Sequence, residues 1–198
     1  MHDTGRRRAA RALRARSFYV QLLSLVAARW VALQCGVPAG CAFSVVGGRF
    51  LVAVPASSVG AVESLQAELD RILWKAHGPT LSIGLAAVTA SGDALSNFRA
   101  VYEELQQRLG VRKGQRYRSL ARSGDLFAPQ AVVAAGRACR TCGREAGDGR
   151  EEDDDGVARR VCAMCASLEE LGRELLDSSY LVLREAGAAE RGGEAGSA

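Results

Sequence analysis

No sign of charge dominates this sequence: 26 basic against 22 acidic residues leave a net charge of +4. That is too little for a global field that would commit the whole chain to a polyanion. No secretory hydrophobic region stands at its start, so we expect a cytoplasmic protein whose six cysteines are reduced or metal-bound rather than paired as disulfides. No long uninterrupted apolar run is present either. The longest apolar segment, residues 17–33, is about the minimum for a bilayer span and contains Gln21 and Arg29. It reads as a buried amphipathic helix, and no membrane partner is expected. No internal repeat stands out. What remains is a chain of 198 residues, 48% apolar, enough for one domain of good size or a domain plus a small module. Its charge is uneven: Arg6, Arg7, Arg8, Arg11, Arg14 and Arg16 crowd one end, and residues 151–155 are all acidic. Runs of this kind are ordinarily solvated.

The pattern organises around residues 41–54, where two apolar, β-favouring runs flank Gly47-Gly48 and close at Pro55. Paired glycines between such runs predict a hairpin, because tight turns matched to strand twist need positive φ. Alternation puts Phe43, Val45, Phe50 and Val52 on the sheet faces. Ahead of the hairpin, residues 8–34 read as a helix buried through Leu22, Val26 and Leu33, with Leu23, Trp30 and Val31 widening the stripe. Residues 1–5 carry no element. After the hairpin, Ser57 or Ser58 caps a helix with Val62, Leu65, Leu69, Ile72 and Leu73 inward, ending at His77-Gly78-Pro79. His77 reads as a helix-end residue, not a ligand. Residues 81–88 predict an interior strand, Ser91-Gly92-Asp93 a turn, and Phe98, Val101, Tyr102, Leu105 and Leu109 a third helix ending near Gly110. Arg112, Lys113, Arg116, Arg118 and Arg122 follow, with Tyr117 among them.

The order α-β-β-α-β-α is a ferredoxin-like pattern without its opening strand. In that topology the opening strand lies inside the sheet, so its absence leaves two apolar strands each with an unpaired edge, at about 1–3 kcal/mol per stranded backbone group. Such a domain is incomplete at its N-terminus or borrows a strand. The fold class expected is α+β: a ferredoxin-like palm lacking its first strand over residues 8–123, a linker over 124–138, a four-cysteine module with the start of a following domain over 139–185, and a disordered tail over 186–198.

Cys139, Cys142, Cys162 and Cys165 form C-x2-C-x19-C-x2-C. Two intervening residues let both sulfurs of a knuckle reach one ion, and two knuckles complete a tetrahedron at about 2.3 Å per bond. Gly143 supplies the backbone freedom that such a turn wants. We expect structural zinc, since four thiolates leave no open position for catalysis. The acidic run between the knuckles stays hydrated. Cys35 and Cys41 read as packing residues. Leu168, Leu171, Leu175 and Leu176 predict a short amphipathic helix capped by Ser167, and residues 180–183 a strand.

Three stretches together resemble a known family: R-A-R-S-F-Y-V-Q-L-L from Arg14, S-V-V-G-G-R-F from Ser44, and the second C-x2-C pair continuing into A-S-L-E-E-L-G and the segment from Tyr180 to Glu185. They are similar to the large polymerase/cyclase-like subunit of type III CRISPR effector complexes, most closely the III-A form, over roughly residues 8–185. The resemblance implies a first, non-catalytic palm followed by a zinc-binding insertion. It implies that the helix from Arg14 and the hairpin at Gly47-Gly48 face a second palm, with ATP between them converted to cyclic oligoadenylates when target RNA is held. Ser44, Gly47, Gly48 and Arg49 would then line the nucleotide interface, and Arg14, Arg16, Arg112 and Arg116 would contact nucleic acid or partner subunits. The implied partners are the other effector subunits, guide RNA and target RNA. ATP and magnesium or manganese are implied only together with the second palm, which carries the G-G-D-D turn and is missing from this sequence.

The residues agree with a non-catalytic palm. Gly47-Gly48 are followed by Arg49-Phe50, not by the two acids that hold divalent ions. Arg49 could instead contact a phosphate. The family's His-Asp nuclease domain is also missing, and His2-Asp3 spells that pair by coincidence. Two rival readings follow from the same residues. One is an independent zinc-ribbon module binding nucleic acid through its arginines. The other is a homodimeric nucleotide cyclase, against which the missing acidic pair argues.

Overall fold

The structure, a computed structural model, describes residues 3–128, 137–146, 150–152 and 158–182. The described residues form two compact units, one of residues 17–128 and one of residues 3–16 with 137–182. The tail expected over 186–198, residue 183, the linker residues 129–136 and the acids at 153–155 lie outside the described residues.

The unit of residues 17–128 is built on the C-terminal part of helix α1 (Asp3–Gln34), which begins at Asp3 and not near residue 8, so residues 3–5, expected to carry no element, belong to its first turn. The chain leaves α1 through Gly36, at φ +71°, and a 3-10 turn over Ala39–Cys41. Strands β1 (Ala42–Val46) and β2 (Arg49–Val52) then form the expected antiparallel hairpin. Gly47 and Gly48 take φ +62° and +77°, the double positive φ that a two-residue turn requires. Phe43 occupies a β-bulge between Ala42 and Ser44 and is exposed instead of covering the core. A 3-10 turn over Ala56–Ala61 leads into α2 (Val62–His77), so neither Ser57 nor Ser58 caps that helix; Ser58 donates its N–H back to Pro55 within the turn.

The core of this unit is Val31, Leu65, Leu69 and Leu85, with Trp30, Phe50, Val52 and Ile83 packed against it. On α1 the inward face is Ser24, Ala27, Ala28, Val31 and Ala32, whereas Val26 and Leu33 are 53% and 65% exposed. The stripe predicted through Leu22, Val26 and Leu33 is therefore corrected. The helix buries its small side chains, which permit close approach, and leaves larger ones outside.

The strand expected over residues 81–88 does not form: Leu81 is extended, yet the segment pairs with no strand among the described residues. Side chains take the place of a ladder. The Gln66 amide donates to the Ile83 carbonyl at 2.9 Å and accepts from the Leu85 N–H at 2.7 Å. Arg108 donates to the Ala87 carbonyl at 2.9 Å. The same Gln66 amide donates to Asp70 Oδ1, and Ser119 donates to Asp70 Oδ2, so a buried polar network ties α2 to the segment that carries Ser119. The sheet of this unit is thus two-stranded among the described residues, and the α+β class holds at that level: helices with a small sheet.

Ser91 caps the short α3 (Gly92–Leu95) by accepting from Ala94 N. Helix α4 (Phe98–Gly114) runs past Gly110, where it was expected to stop. A glycine costs a helix only about 1 kcal/mol, and Arg108 and Arg112 anchor the turns on either side. Tyr117 sits at φ +58°, held by hydrogen bonds from its hydroxyl to the Gly78 and Leu81 carbonyls and by an edge-on contact with Trp74. It opens α5 (Arg118–Ser123), a helix that the sequence pattern did not predict.

In the other unit, β3 (Arg150–Glu152) pairs with β4 (Ala158–Arg160), which puts the first two acids of the run in a strand instead of a loop. Helix α6 (Ala163–Asp177) has Cys162 at its N-cap position, five residues before the expected cap Ser167. It lies against the N-terminal turns of α1: a Cβ on Gly172 would stand 2.6 Å from the Arg11 carbonyl oxygen, so only glycine allows this crossing. Beyond α6, residues 180–182 are exposed and pair with no strand among the described residues, so the expected strand is not seen there. No helix among the described residues is long and apolar enough to cross a membrane.

Candidate functional site

Two groups of predicted residues come together in space. The first is the cysteine quartet. Cys139 and Cys142 belong to a knuckle closed by hydrogen bonds from Cys139 N to the Arg144 carbonyl and from Gly143 N to the Cys139 carbonyl, with Gly143 at φ +75°. Cys162 stands at the N-cap position of α6, without a side-chain capping bond, and Cys165 lies in the first turn. All four Sγ atoms lie within 4.8 Å of one another, with Cys142 and Cys162 3.6 Å apart. A tetrahedral ion with bonds of about 2.3 Å separates its sulfurs by about 3.8 Å, so the donor set fits. Val161 and Ala146 are buried around the sulfurs, and the site is closed to solvent on that side.

The electrostatics agree with that fit. Burial pushes the Cys139 thiol up, but hydrogen bonds from the backbone of Cys162, Thr141 and Cys142 outweigh it and bring the thiol down to about 6. Burial pushes Cys165 well up, with neighbouring Cys162 and Cys142 adding to the effect, and burial raises Cys162 as well. Sulfurs this close cannot all ionise alone; a divalent cation at their centre removes the conflict. The four cysteines could hold a metal ion such as zinc.

The second group is the hairpin tip. Register pairs Val45 with Phe50, and Phe50 packs on the core. The pairs Val46–Arg49 and Ser44–Leu51 therefore turn to the opposite face of the sheet. Ser44, Gly47, Gly48 and Arg49 are thus neighbours at one end of that outer face. Arg49 is exposed, and its side chain has no partner among the described residues.

The predicted arginines divide between the two units, Arg14 and Arg16 in one and Arg112 and Arg116 in the other. Arg14 donates to the Gly172 carbonyl at 3.2 Å within its own unit, and Arg16 is exposed. Arg112 is bidentate with Glu63, an ion pair joining α4 to α2; that hydrogen bond holds the Glu63 carboxyl below the usual carboxylate range. Beside this pair is a shallow cleft of about 230 Å³ floored by Val62, Leu85 and Ala87. Arg116 donates to the Pro79 carbonyl and lies over the Tyr117 ring.

Sequence reasoning missed two polar contacts. His77 is buried at the end of α2, its Nε2 3.0 Å from the Tyr19 hydroxyl, and burial raises the Tyr19 phenol. Gln21 reaches the hairpin: its Nε2 donates to the Val45 carbonyl at 2.7 Å, and Gly47 N donates to its Oε1 at 3.0 Å. The available signal was a glutamine inside the apolar run of α1.

No curated protein matches the chain. Residues 3–131 match the family Csm1 subunit domain B, more than half of the chain. That family is one subunit of a multi-subunit assembly, so other subunits are its partners. With the hairpin, the helices and the cysteine quartet in view, the conclusion is that the chain belongs to the Csm1 family, the large polymerase/cyclase-like subunit of type III-A CRISPR effector complexes.

Proposed function

We propose that this chain supplies the non-catalytic palm of a type III effector, over residues 8–123, and forms one wall of an ATP site used to make cyclic oligoadenylates. The observation that carries the reading is the hairpin tip: Gly47 and Gly48 at positive φ, with exposed Arg49 and half-buried Ser44 on the face turned away from the core. Bare glycines let a phosphate approach the backbone, and Arg49 can pair with it bidentately. The chain has no acidic pair at this tip, so the divalent ions and the G-G-D-D turn come from a second palm. Residues 139–185 comprise the zinc module and the start of a following domain, with Cys139, Cys142, Cys162 and Cys165 holding the ion in a structural role. Guide and target RNA are partners of the assembled complex in the cytoplasm, with Arg14, Arg16 and Arg116 available to phosphates. Arg112 can join them only by releasing Glu63.

The test is a type III-A complex reconstituted around this chain and a G-G-D-D palm, assayed for cyclic oligoadenylates on target RNA. Replacing one charge-assisted phosphate contact costs about 1.5–3 kcal/mol, so Arg49→Glu should raise the ATP KM by at least about tenfold. Arg49→Lys should recover part of that loss. An unchanged KM in Arg49→Glu would refute the nucleotide wall. Salt-sensitive RNA binding by the chain alone, with no such phenotype, would favour the independent zinc module.

A further inference from the structure

We propose that Gln21 is the positioning residue of the hairpin tip, its side-chain amide serving as a one-residue strand on the free edge of β1. Val46 pairs with Arg49 across the two-residue turn, so the Val46 N–H and C=O point towards β2. The Val45 carbonyl and the Gly47 N–H, one peptide to either side, point the opposite way. Both are taken by the single amide of Gln21, at 2.7 and 3.0 Å. A neighbouring strand would engage those two groups in the same way, with one acceptor and one donor. Among side chains that are uncharged at neutral pH, an amide is the one that offers donor and acceptor on separate atoms in this arrangement, as a carboxyl does only when protonated. The next residue of α1 completes the contact: a Cβ on Gly48 would lie 3.1 Å from Val20 Cγ1. Gln66 uses the same two-point pattern on Ile83 and Leu85, again where a backbone edge faces no strand.

Two consecutive glycines at positive φ leave a turn free to swing. Gln21 and Val20 remove that freedom and fix where Ser44 and Arg49 face. The consequence for nucleotide binding rests on the proposed nucleotide wall; the fixing of the tip does not.

The experiment is amide hydrogen exchange by NMR on the full chain, reading protection at Gly47 and at Val46. Gln21→Met keeps the length of the side chain but neither donates nor accepts, and should lower Gly47 protection by about tenfold, the worth of one hydrogen bond. Val46, paired with Arg49, should keep its protection and so report that the hairpin is folded. Gln21→Glu adds a pH signature. Its ionised carboxylate repels the Val45 carbonyl, while its protonated form donates to Val45 and still accepts from Gly47. The docked tip therefore raises the pKa of the introduced carboxyl above about 4.3, and protection should be present below that raised value and lost as pH rises through it. Equal Gly47 protection in wild type and Gln21→Met, with Val46 intact, overturns the proposal. So does a Gln21→Glu chain with no such pH step. In the reconstituted complex, Arg49→Glu separates the two ideas. If it raises the ATP KM and Gln21→Met does not, the tip needs no positioning by Gln21 and the proposal fails. If neither moves KM while Gly47 loosens, the nucleotide reading fails and the positioning of the tip stands.

Discussion

Gly47 and Gly48 look equivalent in the sequence, and their surroundings separate them. Both have positive φ, which costs an L-residue about 1–2 kcal/mol. A Cβ on Gly47 would meet open space, whereas one on Gly48 would press on Val20. Gly47→Ala should therefore destabilise the chain by about 1 kcal/mol and Gly48→Ala by about 2–3 kcal/mol, the excess being overpacking, as read from urea denaturation. Val20→Ala should restore part of the Gly48→Ala loss and none of the Gly47→Ala loss. Equal costs and no coupling to Val20 would mean that the tip does not rest on α1. The hairpin was legible because its signal is local: two glycines between apolar runs. The cysteine quartet was legible for the same reason, each knuckle being a spacing of a few residues. The inequality of the two glycines was not legible, because it depends on a valine far away in the chain.

Individual elements were named more reliably than the faces they bury. Helical spacing in α1 fits several stripes, and the larger side chains suggested Leu22, Val26 and Leu33; the helix instead buries alanines and Ser24, since close packing rewards fit as well as size. Residues 81–88 read as a strand because their composition is apolar, but a strand also needs a partner, and that information is not in the segment itself. Gln66 supplies the missing bonds from α2. It is a buried residue that satisfies Ile83, Leu85 and Asp70 together. Gln66→Met preserves volume and leaves these buried groups unpaired, at about 1–3 kcal/mol each in the worst case and less where they relax. We expect a loss of about 3 kcal/mol in chemical denaturation and faster exchange at the Leu85 amide. The half-buried counterpart Gln21→Met should cost less, about 1 kcal/mol, because water can replace its bond at the exposed Gly47 end. A Gln66→Met chain as stable as wild type would mean that the Gln66 network does not hold residues 83–85.

At the scale of the whole chain, the two units differ in what holds them. Residues 17–128 have an apolar core in which Leu65, Leu69, Leu73, Leu85 and Val31 are buried. Among the described residues of the other unit the buried cluster is three of the four cysteines with Val161 and Ala146, too little apolar surface for stability by burial alone. A structural zinc site contributes about 10–16 kcal/mol of apparent binding energy, so a bound metal would be the main source of stability there. Chelation, or Cys142→Ser, should release one zinc per chain and expose residues 137–177 to protease. Helix α1 should fray from its N-terminal turns, since Ala15 and Arg14 lose α6 as their neighbour. Ser24 to Val31 have partners in the other core and should keep their amide protection, as should Leu85. Zinc content by emission spectroscopy, limited proteolysis and hydrogen exchange on the same sample measure these separately. Unchanged zinc and protease resistance in Cys142→Ser would show that the quartet is not the metal site. Equal loss of protection at Leu85 and at Cys165 would show instead that the chain unfolds as one body, with the metal supporting both units.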